Sequence, residues 1–307
     1  MLRLRSPSTL SRSEGLVLLS YAKLNLYLEV IKKRKDNYHD IKTLFERIDL
    51  SDKIILRPRR DKLIRIICKN SGVPQDKTNL CYRSAALLQG KFNIKTGLDI
   101  TIIKRIPVAS GLGGGSSNAA TVLLGLNKLW KLNLSRKRLA GLAQGIGSDV
   151  PFFVYNTAFA LGEGRGERIK PLRLLQYAYF WHLIIVPKIK VSTPIIYKRW
   201  DRRYLKTAWL TRPKYDVNIL ILALKRNDLS LGSGLLFNSL EGITIQLCPE
   251  VKRIKERLAN LGLKFILMSG SGPAVFGIVP SRKEAVSISN KLKKEESSWR
   301  IFVARTF

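Results

Sequence analysis

The segment Pro107-Val-Ala-Ser-Gly-Leu-Gly-Gly-Gly-Ser-Ser-Asn-Ala-Ala-Thr121 constrains this chain more than any other. It places Gly111, Gly113, Gly114 and Gly115 within five positions, then passes into the apolar run Val122-Leu-Leu-Gly-Leu126. Without a Cβ, glycine lets the backbone turn its amides inward and a large anion come close. A helix beginning at such a loop adds unpaired amides and the positive end of its dipole. Loop feeding helix is therefore a phosphate site, and it points to a nucleotide-dependent enzyme. The plainer reading, a glycine turn capped by serine, leaves the four glycines unexplained. Two familiar phosphate loops are excluded. A Walker A loop needs lysine where the run has Ser116 and Ser117. The dinucleotide fingerprint needs a third glycine where Ser116 stands.

The remainder reads as mixed strands and helices. Leu16–Ser20 and Leu24–Val30 are apolar strand candidates, as are Lys53–Arg57, Leu63–Cys68 and Leu98–Lys104. Thr78 or Asn79 caps a helix to about Lys91, and the loop helix runs from about Ser116 to Trp130. Ser135 caps a further helix to about Ala143, Gly145–Asp149 makes a tight turn, and Phe152–Leu161 reads as strand. After a boundary between Gly166 and Gln176, strands are expected at His182–Pro187, Phe265–Met268, Ala274–Val279 and Arg300–Ala304. Helices are expected from Thr193 and over Glu250–Leu261 and Ser281–Lys294. This is an α+β pattern of two domains, 1–170 and 171–307.

Composition sets the outer bounds. With 307 residues and 45% hydrophobic content the chain can bury a sizeable core. No apolar run reaches the roughly 18 residues that cross a bilayer, because Lys23, Asn25 and Glu29 interrupt Leu16–Val30. Cys68, Cys81 and Cys248 have no metal-ligand spacing and cannot all pair, which suits a reducing, cytoplasmic compartment. No metal site of the protein's own is expected. Met1–Ser13, basic and serine-rich, has two readings, the remnant of a targeting peptide or a frayed tail, and its shortness and lack of amphipathic period favour the tail. The net charge of +33 favours anionic ligands and would permit non-specific nucleic-acid binding. Its basic runs, such as Lys32–Lys35 and Lys198–Arg203, are dispersed, no arginine-rich array interleaved with aromatics stands out, and they read as solvated faces.

The motif Pro-x-x-x-Gly-Leu-Gly-Gly-Gly-Ser-Ser-Asn-Ala-Ala resembles the central phosphate motif of the small-molecule kinases named for galactose, homoserine, mevalonate and phosphomevalonate, the GHMP kinases. Ala22–Leu26 resembles that family's first motif, and Met268–Gly277 its third, in the same order. Tyr38-His39 with Thr43–Phe45, Asp49–Asp52, Gly147–Phe153, Gly164–Glu167 and Val191–Pro194 with Tyr197 resemble one branch of it. Members of that branch phosphorylate a methylerythritol that carries a cytidine diphosphate.

The resemblance implies a two-domain fold, a ribosomal-protein-S5-like N-terminal domain and a ferredoxin-like C-terminal domain, with the active site between them. It implies ATP, with Mg²⁺ accompanying the nucleotide. Asp149 would handle the hydroxyl proton and Lys23 would support it as the catalytic partner. Pro107, Gly111, Leu112, Gly113, Gly114, Gly115, Ser116 and Ser117 would hold the nucleotide. Asn25, Tyr38, His39, Tyr197 and the turn Gly270, Ser271 and Gly272 would hold the acceptor. Each has a plainer role: a turn carboxylate for Asp149, a snorkelling lysine for Lys23, helix caps for Ser116 and Ser117. His182, within an apolar run, reads as a core residue. Two departures stand out. Asn37 occupies the place of a family glycine, and Ser239 that of an acid before Leu240-Glu241. Homoserine or mevalonate kinases, and an inactive basic RNA-binding relative, are the competing readings. Monomer and homodimer are equally open.

Overall fold

The computed structural model describes residues 15–175, 178–204, 213–226, 228 and 233–307. The tail expected over Met1–Ser13 lies outside them. The chain forms two compact units that are not contiguous in sequence. The first holds Met1–Tyr21, Ser51–Val108 and Gly114–Asn156; the second holds Ala22–Leu50, Ala109–Gly113 and Thr157–Phe307. A linear division at residue 170 therefore does not coincide with them. The reason is two long strands, β1 (Leu16–Lys33) and β2 (His39–Arg59), each of which contributes to both units. The two short strands expected before residue 30 are thus one, and its polar Lys23 and Asn25 stay within the ladder.

In the first unit the end of β2 pairs antiparallel with β4 (Gly97–Ile103), from Lys53 opposite Ile103 to Arg59 opposite Gly97. β3 (Ile64–Ile67) runs parallel to β4 on its other side. Alternation decides which face is covered. Ile54, Leu56, Leu98 and Ile100 are buried, whereas Lys53, Arg57 and Ile103 are exposed. The helices are α1 (Leu80–Lys91), α2 (Gly114–Leu129), α3 (Arg136–Ala143) and α4 (Val150–Tyr155). Two caps fall where the sequence placed them. The Asn79 side chain accepts from Cys81 N, and that of Ser135 from Arg138 N.

α4 corrects an expectation, since Phe152–Leu161 was read as strand. Pro151 lies in the first turn of α4, where its fixed φ favours a helix. Asn156, left-handed at φ 56°, ends it. Only then does a strand begin. A short apolar run carries no periodicity that separates helix from strand.

The second unit adds β5 (Phe159–Glu163), paired with β2, and β6 (Arg168–Pro171), paired with β5. β7 (Trp181–Pro187) follows, then α5 (Thr193–Tyr204) and α6 (Val217–Arg226). β8 (Phe237–Asn238) runs parallel to β1 and leads into α7 (Glu241–Leu247) and α8 (Glu250–Asn260). β9 (Ile266–Met268), β10 (Val275–Val279), α9 (Arg282–Glu295) and β11 (Trp299–Arg305) complete the chain. The strands β11-β7-β10-β9 form an antiparallel sheet in that order. With α8 and α9 in the crossovers this is the ferredoxin-like βαββαβ arrangement. Leu183, Ile185, Met268 and Val275 of this sheet pack with Trp200, Ile254 and Leu258 of the helices, and with Leu28 and Val30 of β1. Each such side chain contributes about 1.5–3 kcal/mol by leaving water.

Candidate active site

β1 carries Lys23 into the interior of the second unit, where it is 3% exposed between the fully buried Ala22 and Leu24. A buried ammonium is costly unless it is hydrogen-bonded or paired. Its Nζ donates to Oδ1 of Asn25 and lies 5.4 Å from the centroid of the Phe45 ring. The Asn25 amide is locked in that orientation. Its Nδ2 donates to Thr43 Oγ1 at 2.8 Å, and that hydroxyl donates in turn to Tyr27 O at 2.6 Å. The Asn25 oxygen is thereby left facing the lysine.

Two glycine turns meet beside this pair, backbone against backbone. Lys23 N donates to Leu112 O at 3.1 Å, and Ala274 N to Ser110 O at 2.9 Å. Ser269 Oγ accepts from Asn25 N and donates to Gly111 O, both at 3.2 Å. Gly111 has φ +86°, and a Cβ there would sit 2.1 Å from Ser269 O, so no other residue fits. The second turn is held from behind by Asn238, whose Nδ2 donates to Met268 O at 2.8 Å and to Gly270 O at 2.7 Å. Ser271 Oγ lies 2.6 Å from Thr193 Oγ1. Lys23, Asn25, Gly111, Leu112, Gly270 and Ser271 are thus assembled in one unit. Thr43, Thr193 and Asn238 complete the assembly, and sequence reading had not given them a role there; Ser269, read as the first residue of the second glycine turn, joins them. Asn238 was visible only as a residue beside a substituted acid.

In the first unit, α2 begins at Gly114, two residues before the expected start. Its first amides have no partner within the helix, and the loop from Pro107 delivers them. Gly115 is exposed and Ser116 half-buried. Ser117 is only 1% exposed, and its Oγ accepts a 2.8 Å hydrogen bond from Ser20 Oγ. Its hydroxyl is engaged toward the interior, unlike that of Ser116. Asp149 occupies the N-cap position of α4, half-buried and with no side-chain capping bond.

Tyr38, His39 and Tyr197, expected at the acceptor end, lie in the second unit. His39 is 6% exposed, and its Nε2 is 2.6 Å from Oδ1 of Asp201. The Tyr197 ring stacks on the imidazole at 4.7 Å between centroids and 27° between planes, and Trp200 meets it edge-on. Asp201 also accepts from Lys33 Nζ at 2.7 Å. Burial opposes its ionised form, but the bonds from Lys33 and His39 prevail and hold the carboxyl below its ordinary value. Tyr38 is exposed, with the Arg165 guanidinium 4.7 Å above its ring. Asn37 takes φ +62°, the left-handed turn that the family glycine would supply. Asp201, Lys33 and Arg165 were not foreseen; the one acid within Lys198–Arg203 was the available signal.

Ser239, the other departure, serves the strands. Its Oγ accepts from Val30 N at 3.1 Å and its N donates to Leu28 O at 2.8 Å, while α7 starts beyond it. His182 is fully buried and bonds Glu46 Oε1 at 2.8 Å, as a core residue would. The cysteines of the described residues are unpaired, and burial pushes the Cys81 thiol up to about 12. Among the described residues no group of three or more His, Cys, Asp or Glu could hold a metal ion, and no helix is long and apolar enough to cross a membrane.

Two family profiles match, one described as the GHMP kinases N terminal domain over residues 79–157 and one as the GHMP kinases C terminal over 220–297. The 4-diphosphocytidyl-2-C-methyl-D-erythritol kinase of Geobacillus sp. (strain WCH70) is 45% identical over 272 residues, covering 89% of this chain and 91% of that protein. That of Bacillus subtilis (strain 168) is 42% identical with the same coverage. A crystal structure of 4-(cytidine 5'-diphospho)-2C-methyl-D-erythritol kinase superposes with TM-score 0.76 at 34% identity, over 94% of this chain and 98% of that one. A homoserine kinase from Cytophaga hutchinsonii shares the fold, with TM-score 0.73 at 21% identity, over 97% of this chain and 96% of its own. The glycine turns around a buried lysine are thus set in the frame of the GHMP kinases, and this chain belongs to their 4-diphosphocytidyl-2-C-methyl-D-erythritol kinase family.

Proposed function

We propose that this protein transfers the γ-phosphoryl group of ATP to the 2-hydroxyl of 4-diphosphocytidyl-2-C-methyl-D-erythritol, giving the 2-phosphate and ADP, in the non-mevalonate route to isoprenoids. The observation that carries this reading is the buried Lys23–Asn25 pair held against two interlocked glycine turns. Phosphoryl transfer asks for little covalent help from protein: it needs a held triphosphate, an aligned hydroxyl and cations for the developing charge.

Each requirement has residues. The loop from Pro107 through Gly111, Leu112 and Gly113, with the amides of Gly114, Gly115, Ser116 and Ser117, receives the phosphates at the positive end of α2. Ser116 offers its hydroxyl; Ser117 acts through its amide. The acceptor oxygen attacks the γ-phosphorus as the bond to the β–γ bridging oxygen breaks, and ADP leaves. Asp149 takes the hydroxyl proton, and the Lys23 ammonium stabilises the charge gathering on the attacking oxygen. Mg²⁺ accompanying the nucleotide would be held chiefly by its phosphates and would supply further charge neutralisation.

Gly270, Ser271 and Gly272 support the phosphate loop on the acceptor side. The exposed Tyr38, the buried His39 and the Tyr197 ring suit a pyrimidine, an aromatic face with hydrogen-bonding edges. Two domains, 1–170 and 171–307, are the division we propose in chain order, and the two profile matches fall on either side of it. The test is product identity. Incubation with ATP, Mg²⁺ and the cytidyl alcohol is expected to give, by phosphorus NMR, a new phosphomonoester on the methylerythritol. A product phosphorylated elsewhere, or ATP consumed without one, contradicts the reading.

A further inference from the structure

One fully buried carboxylate in the first unit lies outside the roles above. Asp52, in β2, is 1% exposed. Its Oδ1 accepts from the backbone amides of Arg105 at 2.7 Å and Ile106 at 2.9 Å. Its Oδ2 accepts from Asn118 Nδ2 at 2.9 Å and from the Lys104 ammonium. A carboxylate has about four acceptor positions, and all are used. The donors come from two places only. Lys104, Arg105 and Ile106 are the last residues before the phosphate loop, and Asn118 is on the first turns of α2, just after it. Asn118 Nδ2 also donates to Ser20 Oγ at 2.8 Å, and Ser20 Oγ donates to Ser117 Oγ at 2.8 Å. Lys104 Nζ reaches within 3.0 Å of where a Gly114 side chain would begin.

We infer that Asp52 is a positioning residue for the triphosphate: it clamps both stems of the phosphate loop to β2 and thereby sets the direction of the amides at the start of α2. The physical case is one of conformational entropy. Glycines give a loop its close approach at the cost of order, so a loop of this composition needs fixed ends to present its amides in one arrangement. Charge-assisted hydrogen bonds in a water-free setting are the strongest means available to do so. Asp52 touches no substrate in this account, and its effect runs through the loop.

The inference rests on the kinase reading, and the experiment separates the two. ATP and CDP are titrated calorimetrically into wild type, Asp52→Asn, Asn118→Ala and Glu46→Gln. The last disturbs a buried acid of the second unit and controls for stability alone. Asp52→Asn is expected to weaken ATP by about tenfold or more, the scale of losing hydrogen bonds to a charged group, with CDP affinity unchanged. Asn118→Ala, which keeps the carboxylate and its backbone bonds, is expected to weaken ATP several-fold, and it carries the test if Asp52→Asn does not fold. Steady-state kinetics should show the same split, KM for ATP rising more than kcat falls. ATP affinity unchanged in folded variants, or a uniform loss for both ligands matching Glu46→Gln, overturns the positioning role while leaving the kinase reading intact. A folded wild type that fails to bind ATP overturns the reading itself.

Discussion

His39 and Asp201 are joined by a 2.6 Å contact between Nε2 and Oδ1, and the Tyr197 ring lies stacked on the same imidazole. The contact fixes the ring plane of His39, and the stack extends it. If this face takes the cytosine, Tyr197→Ala removes a stacking partner worth about 1–3 kcal/mol. KM for the cytidyl acceptor is then expected to rise by about 5- to 150-fold while KM for ATP stays. An unchanged acceptor KM would take Tyr197 out of the pocket.

The same carboxylate gives a pH prediction. The folded-state pKa of Asp201 is depressed, so its contribution to stability is present above the unfolded value of about 3.9 and is lost as pH falls through the folded value. Asp201→Asn should therefore be less stable than wild type near neutral pH, and the gap should close below about pH 4. Denaturant unfolding at a series of pH values checks this; a gap that widens on acidification has the wrong sign.

For Asp149, the account expects Asp149→Asn to lower kcat by about 10²–10⁴-fold, the range of general-base catalysis, with ATP affinity nearly kept. Lys23→Met should also lower kcat, and because Lys23 and Asp149 are proposed to act on the same attacking oxygen in one step, the double variant should lose much less than the product of the two single losses. Full additivity would mean that they act in separate steps.

Gly111 tests the interlocked turns. At φ +86° an alanine pays the left-handed penalty of about 1–2 kcal/mol, and its Cβ would meet Ser269 O at 2.1 Å. Gly111→Ala is expected to lower the melting temperature by roughly 2–8 °C and to reduce turnover with it. A variant with wild-type stability and turnover would show that the backbone packing is looser than described.

Short motifs of the candidate site stood out in the sequence more readily than the lengths of the strands that carry them. The glycine-rich loop, Lys23 and the second glycine turn are short segments with particular residues at particular spacing, so their presence was legible, and the resemblance supplied the roles proposed for Lys23 and the second turn. Strand length was not. β1 hid as two pieces because Lys23 and Asn25 break its apolar pattern, and contacts with Thr43 and Phe45 on β2 help to accommodate them there. α4 was misread because a six-residue apolar helix has no measurable period. Asp201 escaped because one aspartate within a basic run gives no local sign of its histidine partner, 162 residues away, and Asp52, although part of the Asp49–Asp52 motif, gave no sign of the side chains 52 and 66 residues away that bond it. Where one residue stood in for another, local physics sufficed: Asn37 could be expected to hold the left-handed turn because a short amide side chain tolerates it.

The most direct test of the central claim is a coupled ADP-release assay with ATP and Mg²⁺, run in parallel with 4-diphosphocytidyl-2-C-methyl-D-erythritol, homoserine and mevalonate. The account predicts release with the cytidyl alcohol alone. Release with homoserine or mevalonate in its place, or silence with all three from folded protein that binds ATP, would contradict it.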